Sequence, residues 1–429
     1  MVFLLILDGF DEINPESRDD IEQQILEISR NYPDILVVVS SRSDPRFKGW
    51  QNFYSFNIEK LSQKQSIDVI DKANYDSGIK RRFVKDIPNL WPTHNTFLSV
   101  PLLSVIMLIT FGKFSEISPK TTLFYKLAFQ TLFREHDAHK EQFKRPLYSA
   151  LDLDDFERCF SAFCALSYTE GRISFSKSQA KKYSSDAIKF SRLNSDAEGY
   201  VKDLIDNVCM LQEEGTDLTF VHRSFQEYFC AVFASGYHED NVLELFDKIA
   251  TKDSDSTLSM IKEIDESKFE IDWLLPTLRT YIESLKPHID NNNAVESMSW
   301  IFRTAVFFGK ENVSAFYVTK GHKSSILRNI GKIYPEYQDR LSIGELFRLF
   351  TRSSLSTAVQ GTKFAKQKRF AFLFNNAEEQ VDLEFRSADE PWLQKLGIVR
   401  EMSRILNGLQ DLESHILSCR QGQNSILRL

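Results

Sequence analysis

Five cysteines in 429 residues form no CxxC pair and show no zinc-type spacing with histidine, which argues against a structural zinc site and fits a reducing cytoplasm. Long hydrophobic runs are missing too. The longest, Val100 to Phe111, contains Pro101, Ser104 and Thr110 and is too short to span a bilayer. There is no surplus of positive charge: the net charge of −7 argues against a protein built to coat nucleic acid, and Lys80 to Arg82 reads as a solvated face. No repeat shows at leucine-rich, TPR or WD periods. The apolar opening lacks a basic start and ends in DGFDE instead of a small-residue cleavage site, so it is not a secretory signal.

What is present is a globular composition, 42% hydrophobic with 35 Phe, in a chain long enough for two to four domains. The stretch VFLLILDGFDE organises the rest. Five apolar residues, Phe3 to Leu7, predict a buried parallel strand that delivers Asp8 to the C-terminal edge of a sheet, where α/β folds bind ligands. Asp8, Asp11 and Glu12, with Gly9 allowing close approach, suit a hydrated Mg²⁺ and an activated water. An ordinary acidic turn uses the same residue types.

Ser17 with Asp20 resembles a capping box, and Ile21, Ile25 and Ile28 share a helical face that ends before Pro33. Ile35 to Val39 is a second strand, breaking at Ser40, Ser41 and Arg42, so residues 3 to 42 predict a strand–helix–strand unit. Asp8 and Arg42 then face one pocket. Arg42 is suited to hold a phosphate oxygen, or to make a surface ion pair. Ser62 with Gln65 makes another capping box, Phe97 to Phe111 is a helix-length stretch with Pro101 in a first turn, and Leu123 to Phe133 continues the helical pattern. Residues 151 to 236 predict helices around a short strand, Leu218 to Val221, leading through His222 into SFQEYFCAVF, with Ser224 as N-cap and an anion-favouring helix start. A lone histidine in that setting also serves as a satisfied structural residue.

In order, these pieces resemble the NACHT family of STAND signalling NTPases over residues 1 to 236. LLILDGFDEI resembles its Walker B, VVVSSRSDPRF its sensor 1 strand and arginine, IEKLSQKQ the opening of its helical domain, VPLLSVIML its proline motif near the adenine, and FVHRSFQEYFCAVF its winged-helix histidine motif. The resemblance implies ATP/ADP and Mg²⁺ as cofactors, Asp8 holding Mg²⁺ through water, Asp11 and Glu12 polarising water, and Arg42 reading the γ-phosphate. Pro101 would pack near the base and His222 would latch the winged helix on ADP.

No GxxxxGK[ST] loop occurs in the sequence, so the chain as written is not expected to hydrolyse ATP by the family mechanism. It is expected to be a truncated start of a longer NTPase; the alternative is a non-catalytic scaffold. The expected fold is a partial P-loop α/β sheet (1–60), a helical domain (61–150), a winged helix (151–236) and a helical C-terminal sensor (237–429), with PHIDNNN at Pro287 to Asn293 as a linker. Trp300 to Tyr317 is rich in Phe and Trp. Leu393 to Ile416 is apolar at helical spacing, interrupted by Gly397 and Gly408. The resemblance further implies a cytoplasmic antiphage or innate-immune switch that forms homo-oligomers on meeting an unnamed trigger, with nucleic acid not a direct ligand. SFQEYF is a poor groove reader.

Overall fold

The computed structural model describes residues 3–10, 13, 17–41, 47, 50, 53–56, 58–114, 120–138, 147–214, 217–237, 242–252, 255–302, 304–310, 313–319, 322–350, 352–360, 380–384 and 386–426. Most of them are helical, with three small sheets. The chain divides into one unit of residues Met1–Cys159 with Glu170–Phe225, and a second of Phe160–Thr169 with Gln226–Leu429.

The first unit opens with β1 (Phe3–Leu7), α1 (Arg18–Asn31) and β2 (Ile35–Val39), and β1 pairs with β2 in parallel, Leu4 opposite Leu36 and Ile6 opposite Val38. A continuous β-branched and aliphatic run makes each strand, as expected. The strands are not buried as expected. Leu7, Val37 and Val39 pack with Ile21 and Leu26 of α1 around Phe10, Ile25 and Trp50, but Leu4, Ile6, Leu36 and Val38 on the opposite face are exposed. Among the described residues, no element covers that second face. Ser17 also departs from expectation: it precedes α1 without a side-chain cap bond, its backbone lying in the helical region where the hydroxyl does not reach the N2 or N3 amide.

Four helices follow: α2 (Gln63–Lys72), α3 (Ser77–Leu98), α4 (Pro101–Phe114) and α5 (Thr121–Ala138). The Ser62/Gln65 capping box opens α2 as its sequence predicts. Ser66 of α2 and Ser104 of α4 pair through their buried hydroxyls at 3.1 Å, which lets the two helices approach closely. α3 is kinked at buried His94, two residues after Pro92.

From α6 (Leu153–Thr169) the chain runs through β3 (Ser174–Ser176), α7 (Lys177–Phe190), α8 (Ala197–Lys202) with a π-turn at Asp203–Asn207, and the hairpin β4 (Leu211–Glu214) and β5 (Asp217–Phe220), into α9 (Arg223–Gly236). β5 lies between β3 and β4, antiparallel to both. Buried Asp203 accepts the Tyr148 and Ser149 amides at 3.0 and 2.7 Å, so this carboxylate is spent on satisfying backbone.

The second unit carries α10 (Val242–Ala250), α11 (Thr257–Ile264), α12 (Glu266–Lys268), a π-turn at Phe269–Leu274, α13 (Leu275–Asp290) and α14 (Ala294–Ile301). Then come β6 (Thr304–Lys310), β7 (Val313–Thr319), α15 (His322–Ile333), α16 (Gln338–Leu341), α17 (Gly344–Leu349), α18 (Arg352–Val359), β8 (Gln380–Glu384), α19 (Glu390–Leu396) and α20 (Ile398–Ile426). The half expected to be helical is mostly so among the described residues and also carries a sheet that the sequence did not suggest: β6 pairs antiparallel with β7 and β8. The aromatic run from Trp300 to Tyr317 is two strands after a helix end. Pro287 is no linker either. It sits within α13, whose buried Leu278, Tyr281 and Leu285 hold the helix through one lost amide bond, and Asn293 then caps α14.

Candidate functional site

The C-terminal edge of β1 and β2 is built by three consecutive residues and one serine. After β1, Gly9 takes a positive φ of 77°, turning the chain so that its amide donates to Ser40 Oγ at 3.0 Å, while the Phe10 amide donates to the Ser40 carbonyl at 2.9 Å. The Ser40 amide in turn donates to the Leu7 carbonyl at 2.9 Å. Ser40 Oγ–H donates to the Asp8 carboxylate. One serine thereby ties the ends of both strands and fixes one oxygen of Asp8, an exposed carboxylate, leaving its other oxygen to accept from a water or ligand. Sequence reasoning named Asp8 and missed Ser40; its place opposite the strand end in a parallel pair is the signal that could have found it.

Asp11, Glu12 and Arg42 lie outside the described residues. Among the described residues, no group of three or more His, Cys, Asp or Glu side chains stands where it could hold a metal ion. Mg²⁺ keeps several waters and takes one or two carboxylates, so Asp8 by itself fits a water-mediated contact to such an ion and not a closed protein cage.

Pro101 is the first residue of α4, where its missing amide proton costs nothing. Just before it, the Ser99 carbonyl accepts the Leu61 amide at 3.0 Å and so joins the entry of α2 to the entry of α4.

His222 precedes the first residue of α9, and its ring, not the expected Ser224, is the cap: Nδ1 accepts the Ser224 amide at 3.2 Å and lies 2.6 Å from the Ser224 hydroxyl. A backbone N–H can only donate, so Nδ1 is unprotonated and Nε2 carries the proton. The imidazole is half-buried, and a histidine ring N–H is a type of donor that binds anionic oxygens.

Among the described residues Asp8 shares no hydrogen bond with Pro101 or His222. An aromatic chain does connect the segments carrying Pro101 and His222. The Phe97 ring, near the end of α3, meets the Tyr125 ring of α5 at 5.2 Å, and Tyr125 meets Phe225 of α9 at 5.3 Å. These three residues were not singled out in the sequence, because only packing distinguishes them from the many other phenylalanines.

Two of the buried cysteines are not poised as nucleophiles. Burial pushes the Cys159 thiol up to about 12 and raises that of Cys230 as well, so neither forms a thiolate near neutrality.

No protein-family model matches the chain, and no curated protein matches it at a significant level. No helix among the described residues is long and apolar enough to cross a membrane.

Proposed function

We propose that the chain is the switch portion of a NACHT-type STAND NTPase, from its metal-binding strand through a winged helix to a C-terminal sensing half. The observation that carries this reading is Asp8 at the C-terminal edge of a parallel strand pair, clasped by Ser40 and followed by Gly9 in a left-handed turn. Two further features support it. The order helix, strand, two helices, hairpin, with β5 between β3 and β4, is compatible with a winged helix. His222 stands at the start of α9, its Nδ1 accepting the Ser224 amide. On this reading Asp8 would hold Mg²⁺ through water and His222 would bind a phosphate oxygen of ADP. ADP and ATP then bias a two-state element, and activation proceeds through homo-oligomers in response to a trigger, in defence against phage or as innate immunity. Hydrolysis would need a phosphate loop that this sequence does not contain.

The rival is an interaction scaffold derived from such a protein. Calorimetric titration of ADP, with and without Mg²⁺, separates the two. His222→Asn keeps a good N-cap while removing the imidazole, so it tests the ligand role without uncapping α9. We expect ADP affinity to fall about tenfold in His222→Asn, roughly 1.4 kcal/mol, at unchanged thermal stability of the free protein. Asp8→Asn should weaken only the Mg²⁺-dependent part. Equal affinity in all three proteins, or no heat in any, rejects the nucleotide reading and leaves the scaffold.

A further inference from the structure

Of the five cysteines, three are buried and two, Cys209 and Cys419, are exposed. Cys209 has no histidine partner among the described residues. Cys419 has one. On α20, His415 stands one turn before it, and His415 Nε2 lies 3.8 Å from Cys419 Sγ. Both side chains are exposed. The helix beneath them is held on its other face, where Leu409, Leu412 and Ile416 are buried. Arg420, the residue after Cys419, anchors the same turn by donating to Glu270 at 3.0 and 2.8 Å. The Tyr337 ring, in the turn before α16, meets the imidazole of His415 at 5.9 Å. Two soft ligands thus project from a fixed stretch of backbone.

We propose that His415 and Cys419 form a chelate site for Zn²⁺ on α20, with water at the two remaining positions. The separation of the two atoms carries this. Zinc bonds of about 2.0–2.1 Å to an imidazole nitrogen and about 2.3 Å to a thiolate, at the tetrahedral angle, place the two ligand atoms roughly 3.6 Å apart. The observed pair therefore needs only a small adjustment of side chains to close on the metal. The ligand set selects the ion, since nitrogen and sulfur together suit zinc, whereas Mg²⁺ and Ca²⁺ take oxygen. On binding, the Cys419 thiol gives its proton to bulk water and its electron pair to the metal. His415 binds as the neutral ring, through the Nε2 lone pair, and nothing is oxidised or reduced. Asp411, one turn earlier on α20, is paired with Arg340 and supplies no third ligand. Two ligands are half of a tetrahedral set, so this is an open site and not the closed structural kind that the cysteine spacing argues against. It uses none of the residues of the switch reading and needs no nucleotide.

The test is titration of Co²⁺, a spectroscopic stand-in for zinc, into the full chain kept reduced by an agent that does not bind metals. A thiolate bound to Co²⁺ gives a charge-transfer band in the near ultraviolet, so the readout sees the sulfur directly. We expect wild type to develop this band at one metal per chain and Zn²⁺ to displace it. Cys419→Ser should abolish the band, and His415→Gln should weaken binding about tenfold or more, as loss of a direct ligand exceeds loss of a supporting contact. Cys209→Ser should change nothing. The three substituted side chains are exposed, so the variants are expected to fold, and circular dichroism checks each. No band in wild type, a band that survives Cys419→Ser, or equal affinity in wild type and His415→Gln overturns the proposal.

Discussion

Single side chains in this protein are set by what surrounds their polar atoms. Ser40 is an unremarkable residue in SSRSDPRF until β1 and β2 pair, after which its hydroxyl serves Gly9 and Asp8 together. His222 was expected as a ligand behind a Ser224 cap, and the roles are partly exchanged, with the imidazole itself accepting the Ser224 amide. Glu157, half-buried on α6, shows the cost of burial. Desolvation raises its carboxyl above the usual range, and the attraction of Lys126 only partly offsets this. The folded protein thus binds this proton more tightly than the unfolded chain. Stability from this group is greatest below the unfolded value near 4.5 and is lost as pH rises through the raised folded value. Glu157→Gln should therefore raise the thermal midpoint at pH 7 and leave it unchanged near pH 4, read by scanning calorimetry at the two pH values.

At the scale of elements, local signals were sufficient where a cap or a period stood alone. The Ser62/Gln65 box and the β1–α1–β2 unit are legible because capping and strand periodicity are local. The strands β6, β7 and β8 were not, since β8 pairs with β6 across more than 60 intervening residues and nothing nearby in sequence marks the partner. The two glycines expected to interrupt the C-terminal helix do different things. Gly397 adopts φ 82° and ends α19 in a left-handed cap, whereas α20 runs straight through Gly408. Gly408 is there for contact: a Cβ would sit 2.8 Å from Arg340 Cβ. Gly408→Ala gains helix propensity and loses that fit, and we expect a net destabilisation of about 1–2 kcal/mol in urea unfolding. Gly397→Ala would instead be penalised through backbone strain with no clash.

Across the second unit, one buried carboxylate joins segments far apart in sequence. Glu270, on the π-turn before α13, accepts from Tyr334 at 2.8 Å and from two nitrogens of Arg420 at 3.0 and 2.8 Å. The tyrosine hydroxyl is correspondingly raised by burial and by this carboxylate. Removing the acid leaves a largely buried guanidinium and a phenol without their acceptor, so Glu270→Ala should cost about 3 kcal/mol. Glu270→Gln should cost less, because it retains an acceptor. A chemical-denaturation midpoint for each variant checks the order. If Glu270→Ala is neutral, the network contributes nothing to holding α20 in place.

The sequence by itself determined the parallel βαβ start, the capped start of α2, the place of Asp8 at a strand end, and Pro101 as the first residue of a helix. Each follows from residues within about one turn or one strand of one another, where periodicity, proline geometry and capping act. Only the tertiary structure decided which atoms those residues meet. It brought Ser40 to Asp8, His222 to the α9 cap, Tyr125 between Phe97 and Phe225, and it left one face of a parallel pair uncovered. Such outcomes depend on what remains to cover a surface or satisfy a polar group after every other element has packed, and no local pattern carries that information.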